Sequence, residues 1–180
     1  DIAFSDDGVA FLGNLTTNAS TSPFHLYWWS TEGGTYSDSL VLTTSTAQRL
    51  GDKFTVVGSV SDNTVEVWIP AATSDPGIIY VLTTTDQGAT WDTETITLSG
   101  TNVTVGSNAD VTPLGLGRNS DFYIGGNASA PARYTNTGVY VENSALASSS
   151  RNGMQFFSAN RSDYLAVYTY RPDGVGSGNK

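Results

Sequence analysis

The chain has no cysteine, one histidine and only two lysines among its 180 residues. Without cysteine it has no disulfide framework, no thiolate metal site and no cysteine nucleophile. The single histidine, His25, is too few for a transition-metal site, and a serine triad would need a histidine base that the pattern around His25 does not offer. His25 stands in an aromatic run and is predicted to pack in or beside the core.

Positive charge is also scarce, with eight basic residues against 17 acidic ones and a net charge of −9. Such a chain is repelled by nucleic-acid backbones and by anionic membranes, so neither is an expected partner. No apolar run approaches the length of a membrane span. Only 14% of residues are charged, and a surface of Thr, Ser, Asn and Gly favours an extracellular or cell-surface location.

Sustained helical periodicity is absent as well, which leaves strands as the main regular structure. Nine Tyr, seven Phe and four Trp supply large apolar side chains within an apolar fraction of 38%. Thr is frequent and favours strands. The sequence therefore predicts an all-β fold.

The strand-like runs recur with a period of roughly 45–50 residues, four runs to a unit, separated by Asp, Asn, Pro and Gly turn signals. The first unit has runs at 1–4, 9–12, 24–29 and 39–42, and the second at 53–59, 64–69, 77–83 and 93–98. The third has runs at 111–114, 121–124, 133–134 and 138–141, and a half unit follows with runs at 154–157 and 164–168.

Four-stranded units at this spacing are typical of β-propeller blades. We therefore predict one propeller-like domain over residues 1–172, with units of about 1–46, 47–100, 101–150 and 151–172, and a linker-like tail at 173–180. About 3.5 blades is too few for a usual closed ring, so the chain is expected to be part of a larger propeller or to be completed by another chain. The start at Asp1, without an initiator Met, favours a piece of something longer. A β-sandwich is the structural alternative.

One hairpin signal is specific. Residues 84–91 read Thr-Thr-Asp-Gln-Gly-Ala-Thr-Trp and match the pattern Ser/Thr-x-Asp-x-Gly-x-Thr-Trp at Thr84, Asp86, Gly88, Thr90 and Trp91. The aspartate can accept backbone hydrogen bonds in the turn, the glycine allows positive φ, and the tryptophan can bury its ring beneath the hairpin. Weaker echoes occur at residues 6–11 and 30–36.

At these residues the chain resembles sialidases and other Asp-box (BNR-repeat) β-propellers. The resemblance implies that the box is a fold element at blade turns, away from any catalytic centre. Residues 7–29 and 49–58 also look like secreted bacterial propeller-like repeat proteins of uncharacterised function. That second resemblance implies an extracellular module and brings no catalytic residues.

Enzyme readings find little support in the residues. The chain lacks the Arg-Ile-Pro motif of sialidases, and Arg49 beside Asp52 suits an ion pair better than a substrate clamp. A glycosidase needs two paired carboxylates, but most acidic residues flank turns and nothing selects a pair; the candidates are Glu66, Asp75, Asp86, Asp92, Glu94, Asp110, Asp121, Glu142 and Asp163. We predict no catalytic residue and no cofactor. Calcium is a weak candidate at the acidic turns 5–8 and 61–63.

Binding and assembly remain. In a strand, Trp28 would face opposite to Tyr27 and Trp29, so one face of this aromatic run needs cover from a neighbouring blade, a sugar ring or another chain. Bound glycans, and other copies joined through open sheet edges, are therefore the expected partners.

Five sequons could carry glycans in a eukaryotic source, at Asn14, Asn18, Asn102, Asn127 and Asn160. The sequence thus favours a non-catalytic extracellular module for glycan binding or surface or filament assembly; the alternative is a fragment of a sialidase-like or other glycoside hydrolase propeller.

Overall fold

A computed structural model describes residues 1–29, 34–72, 77–98, 105, 109–117, 120–126, 129–135, 138–141, 151–156 and 165–170. These residues form fourteen antiparallel strands and contain no helix. Each run predicted from the sequence corresponds to one strand, so the prediction of an all-β fold built from four-stranded units is confirmed.

The strands form three four-stranded sheets and one two-stranded sheet, each in simple chain order. Sheet 1 contains β1 (Ile2–Phe4), β2 (Ala10–Gly13), β3 (Phe24–Trp29) and β4 (Ser37–Leu42), and sheet 2 contains β5 (Thr55–Ser59), β6 (Thr64–Ala71), β7 (Ile78–Thr84) and β8 (Asp92–Thr97). Sheet 3 contains β9 (Asp110–Pro113), β10 (Phe122–Gly126), β11 (Ser129–Thr135) and β12 (Gly138–Val141), and sheet 4 pairs β13 (Arg151–Phe156) with β14 (Leu165–Tyr170).

Sheets 1, 2 and 3 stack face to face in chain order around two apolar clusters. The first cluster joins sheet 1 to one face of sheet 2 and includes Phe11, Phe24, Val65 and Val67. The second joins the other face of sheet 2 to sheet 3 and is centred on Trp68. Because β6 contributes to both clusters, its side chains are buried from Val65 to Ala71.

The first strands of successive sheets are neighbours: β1 contacts β5, β5 contacts β9, and β9 contacts β13. This arrangement fits propeller-like blades, and the face-to-face packing of sheets also fits the sandwich alternative. The first unit's opening strand pairs with β2 of its own sheet, with Ile2 opposite Leu12 and Phe4 opposite Ala10.

Hydrogen bonds add to the apolar contacts between sheets. The Asp6 N–H donates to the Gly58 carbonyl at 2.8 Å, and the Gly58 N–H donates to the Asp6 carboxylate at 3.0 Å. Between sheets 2 and 3, the Thr55 hydroxyl donates to the Val111 carbonyl at 2.5 Å, and Lys53 pairs with Asp110 at 2.9 Å. The stacked sheets are therefore held by polar as well as apolar contacts.

Candidate functional site

The Asp-box hairpin between β7 and β8 is held by its own polar side chains. The Thr84 hydroxyl donates to Asp86 Oδ1 at 2.8 Å and accepts the Gly88 N–H at 2.8 Å. Asp86 also accepts the Thr90 N–H at 2.9 Å and the Thr90 hydroxyl at 2.6 Å. These bonds from Thr90 and Thr84 lower the pKa of Asp86 below its ordinary value. The carboxylate thus connects both ends of the turn through hydrogen bonds.

The same hairpin packs against sheet 1. Gly88 has a φ of +86°, and its Cα lies so close to Trp28 that an added Cβ would be 2.8 Å from Cζ2 of that indole. The Trp91 ring meets the Phe11 ring edge to face at a centroid distance of 6.5 Å. The indole N–H of Trp91 is buried, and no hydrogen-bond partner for it is found among the described residues. The box therefore shapes a contact between two sheets.

Strand β3 presents its aromatic run to two different environments. Its side chains alternate between buried and half-buried positions, as the strand period requires. Trp28 is 9% exposed and stacks on Phe11 at 6.3 Å between sheets 1 and 2. Tyr27 and Trp29 lie on the opposite face of the sheet. The sequence offered Tyr27, Trp28 and Trp29 as candidate binding residues; Trp28 is buried between the sheets, and Tyr27 and Trp29 lie half-buried on the other face.

Four rings gather on that opposite face. His25 stacks on Tyr27 at 6.1 Å with an interplanar angle of 12°. Tyr36, 56% exposed, lies 5.4 Å from Tyr27 and 5.7 Å from Trp29, at angles of 82° and 56°. Because the Tyr36 ring is steeply inclined to both Tyr27 and Trp29, the rings form a compact cluster and not a flat platform.

Aliphatic side chains on β1, β2 and β4 extend the cluster. Ile2 and Phe4 on β1 are 54% and 57% exposed, and Val41 on β4 is 53% exposed. Leu12 pairs with Ile2 on one side and with Tyr27 on the other, so the register places all three on one face. We call this surface the outer face of sheet 1; it consists of Ile2, Phe4, Leu12, His25, Tyr27, Trp29, Tyr36 and Val41.

A cavity lies on the side of sheet 2 that faces sheet 3. A cavity of about 800 Å³ is lined by Glu66, Thr83, Asp92, Thr93, Glu94, Leu116 and Gly117. Glu66 is only 3% exposed, and its two carboxylate oxygens accept the Trp68 indole N–H at 3.0 Å and the Gly117 N–H at 2.6 Å. Of the nine carboxylates that the sequence offered, Asp75, Glu142 and Asp163 lie outside the described residues. The cavity brings together three of the other six, with Glu66 occupied by protein donors.

In the acidic turn at residues 5–8, which suggested calcium, the Asp6 and Asp7 carboxylates accept backbone N–H groups of the β5–β6 hairpin. The Asp7 carboxylate accepts the Ser5 hydroxyl at 2.5 Å and the Ser61 N–H at 2.9 Å. Partial burial acts to raise the pKa of Asp7, but these hydrogen bonds outweigh it and hold the pKa well below its ordinary value. Among the described residues, no group of three or more His, Asp or Glu side chains is placed to hold a metal ion. The turn thus ties β1–β2 to the β5–β6 turn.

Other predicted residues fall into three groups. Arg49 forms a two-pronged ion pair with Asp52, at 2.6 and 2.5 Å. The Asn14 amide donates to the Pro23 carbonyl and accepts the His25 N–H, whereas Asn18 accepts the backbone and hydroxyl of Ser20. The sequons at Asn102, Asn127 and Asn160, the first four residues of the echo at 30–36 and the tail at 173–180 lie outside the described residues.

Sequence reasoning found the aromatic half of the outer face and missed the aliphatic half. The available signal was that β1 and β3 are apolar at nearly every position, whereas a strand covered on one side alternates with polar residues. It also missed Glu66 as a buried carboxylate, although a single acid inside the apolar run of β6 marks an unusual position.

No family model, curated protein or solved structure matches the chain. The described part of the chain holds no apolar helix of membrane-spanning length.

Proposed function

We propose that this chain is a non-catalytic extracellular module that works by docking the outer face of sheet 1 against another β-sheet. The observation that carries the proposal is the contrast between sheets 1 and 2. Both faces of sheet 2 contribute to apolar clusters, whereas the described residues place such a cluster on one face of sheet 1 and none on the other. A contiguous exposed apolar patch is typical of an interaction site.

The chemistry of the outer face suits a sheet as partner. Apolar side chains that stand up from a sheet pack against those of a second sheet about 10 Å away. The aliphatic members Ile2, Leu12 and Val41 offer no polar atom to a ligand, so burial of apolar area is their contribution. Tyr and Trp add ring area with a polar edge, which is why both are enriched at protein interfaces.

Labelling of surface side chains tests this function. Hydroxyl radicals should modify Trp29 and Tyr36 in the isolated chain at low concentration and leave both protected in the assembled protein taken from its producing cells. Leu15, which is 52% exposed in the loop after β2, is the control and should be labelled equally in both samples. Equal labelling of Trp29 and Tyr36 in the two samples would refute the docking function.

Glycan binding is a second candidate, supported by the cluster of Tyr27, Trp29 and Tyr36. A half-exposed indole beside an exposed phenol can stack on the apolar face of one sugar ring. Trp29→Ala should then abolish binding on a glycan array while the thermal midpoint of unfolding stays close to that of the wild type. Array binding that survives in Trp29→Ala counts against this candidate.

The hydrolase alternative is supported by the cavity alone. Glu66 pairs across β6 and β7 with Thr83, which pairs with Asp92 on β8. The two carboxylates therefore stand two strands apart, roughly 10 Å between backbones, a spacing that an inverting glycosidase could use. Glu66→Gln should abolish any hydrolysis of a glycan substrate; hydrolysis that persists in this variant would exclude Glu66 from the reaction.

A further inference from the structure

We propose that Tyr27, Trp29 and Tyr36 on the outer face of sheet 1, which we call the aromatic corner, bind a quaternary ammonium group such as that of choline. The site uses three members of the outer face, and its ligand binds the chain without a docked partner. The ligand is a small organic cation, which three aromatic rings and a neighbouring acidic position recognise.

The inclination of the three rings selects a compact ligand. Tyr36 lies 5.4 Å from Tyr27 at an interplanar angle of 82°, and 5.7 Å from Trp29 at an angle of 56°. In a corner between inclined rings, a roughly spherical group touches more than one ring, whereas a flat sugar ring can stack on only one of them. A quaternary ammonium group has that shape, and the faces of Trp and Tyr attract cations within about 6 Å of the ring centroid.

The aromatic corner is open to solvent and ordered by its own contacts. Tyr36 is 56% exposed, and Tyr27 and Trp29 are half-buried on one face of β3. The alternation along β3 places His25 on the same face beyond Tyr27, where the two rings stack at 6.1 Å. Contacts among the rings therefore hold the corner before a ligand arrives, which reduces the entropy lost on binding.

The charge around the aromatic corner favours a cation. The first 48 residues contain no lysine or arginine and five acidic residues, which are Asp1, Asp6, Asp7, Glu32 and Asp38. Asp38 on β4 holds the register position opposite Tyr27, and residues opposite each other on neighbouring strands share a face. The whole chain carries a net charge of −9. A cationic ligand is therefore attracted to this surface, whereas phosphate, sulfate and carboxylate ligands are repelled.

Methylation of the ammonium group matters because the walls of the corner are rings. A primary ammonium would give up hydrogen bonds to water, and aromatic faces do not replace them. A quaternary ammonium has no N–H group, and its methyl groups gain from burial against the rings while its charge is attracted to their faces. Each exposed contact of this kind is weak, so we expect a dissociation constant of roughly 1 mM for choline.

Titration of the isolated chain with choline chloride, followed by the indole N–H signals in proton–nitrogen NMR spectra, tests the proposal. The Trp29 signal, identified by its loss in Trp29→Phe, should shift and saturate. The signal of Trp68, which is fully buried, should not move. The uncharged analogue of choline, in which a carbon atom replaces the nitrogen, is the matched ligand control and should bind at least about tenfold more weakly.

Two variants locate the site. Trp29→Ala should weaken choline binding by at least about tenfold, and Asp38→Asn by about threefold, since it removes the acidic position opposite Tyr27. Leu15→Ala, at an exposed position in the loop after β2, is the control for the lost side chain, and Asp62→Asn in the β5–β6 turn is the control for the lost charge. Both controls should bind choline like the wild type, and thermal melting followed by circular dichroism checks that every variant folds.

Equal binding of choline and its uncharged analogue would overturn the cation as ligand, and unchanged binding by Trp29→Ala would overturn the site. A Trp29 signal that does not shift would overturn the proposal as a whole, whereas the labelling of native material still tests docking separately. Co-sedimentation with phosphatidylcholine vesicles identifies the source of the group. Retention on vesicles that is lost in Trp29→Ala assigns a lipid headgroup, and a saturable choline titration without retention assigns a free cation.

Discussion

At residue 88 the Asp-box hairpin has no room for a side chain. The pattern in the sequence required a glycine there for positive φ, and the observed φ is +86°. The tertiary structure adds a second reason, since the Trp28 indole of the neighbouring sheet lies against the Gly88 backbone. A position that is predicted for turn geometry therefore also sets how closely two sheets approach.

Gly88→Ala should lower the free energy of unfolding by about 3 kcal/mol, since a left-handed conformation costs about 1–2 kcal/mol and the clash with Trp28 adds to it. Gly8→Ala is the matched control: Gly8 has a φ of +83° and nothing within 4 Å of an added Cβ. It should lose only the conformational part. Urea unfolding of both variants measures the difference, and equal losses would show that the contact with Trp28 carries no energy.

The Asp7 carboxylate, which the sequence offered as a calcium ligand, stabilises the folded chain through hydrogen bonds. Its pKa is depressed in the folded state by the Ser5 hydroxyl and by backbone N–H groups of the neighbouring turn. A depressed folded pKa contributes stability above the unfolded value of 3.8 and loses it as the pH falls below that value. The contribution therefore belongs to the charged carboxylate.

Asp7→Asn should consequently be less stable than the wild type at pH 7, and the difference between the two should shrink as the pH is lowered through 3.8 toward 2. Chemical denaturation at a series of pH values measures both curves. Asp62→Asn serves as control for the loss of one surface charge in the partner turn. A difference that stays constant over this pH range would contradict a role for the charged form of Asp7.

At the scale of one element, the pleat of β3 places alternate side chains in the core and at the surface. Neighbouring tryptophans at positions 28 and 29 look alike in the sequence, yet one is core and the other surface. The alternation itself was predictable from the strand period. Which face would be covered was not, because that depends on where sheet 2 packs.

Trp28→Ala should cost about 3–5 kcal/mol of unfolding free energy, since it removes a buried indole that packs on Phe11 and Gly88. Trp29→Ala should cost less, about 1 kcal/mol, because its ring is only partly buried. Thermal and urea unfolding of the pair provide the measurement. If Trp29→Ala proved as destabilising as Trp28→Ala, the outer face would have to be covered within the monomer.

Across the whole molecule, burial is unequal within a single sheet. Strand β6 is buried on both faces, whereas β8, at the edge of the same sheet, is exposed along most of its length and carries Asp92 and Glu94. Charged side chains on an edge strand discourage pairing with another chain. The outer edge of sheet 2 is thus protected from pairing with another strand. The outer face of sheet 1, by contrast, exposes apolar side chains.

Hydrogen exchange should follow this difference. Peptides that cover residues 64–71 should exchange most slowly, because opening β6 disrupts both apolar clusters, and peptides that cover 92–97 should exchange fastest within sheet 2. Mass spectrometry of exchanged, digested protein resolves these segments. Similar exchange rates for β6 and β8 would be inconsistent with packing of sheet 2 between sheets 1 and 3.

The all-β class, the fourteen strands, the four-stranded units and the turn chemistry at residues 84–91 could all be predicted from the order of the amino acids. These follow from local rules: strand-forming side chains, turn residues at regular intervals, and a period of two along each strand. The tertiary structure alone decided which faces of those strands are covered. It placed Trp28 between two sheets, gathered Glu66, Asp92 and Glu94 around one cavity, and left Ile2, Phe4 and Trp29 on an open face. Burial depends on contacts between residues far apart in the chain, and no local pattern encodes which sheet will lie against which.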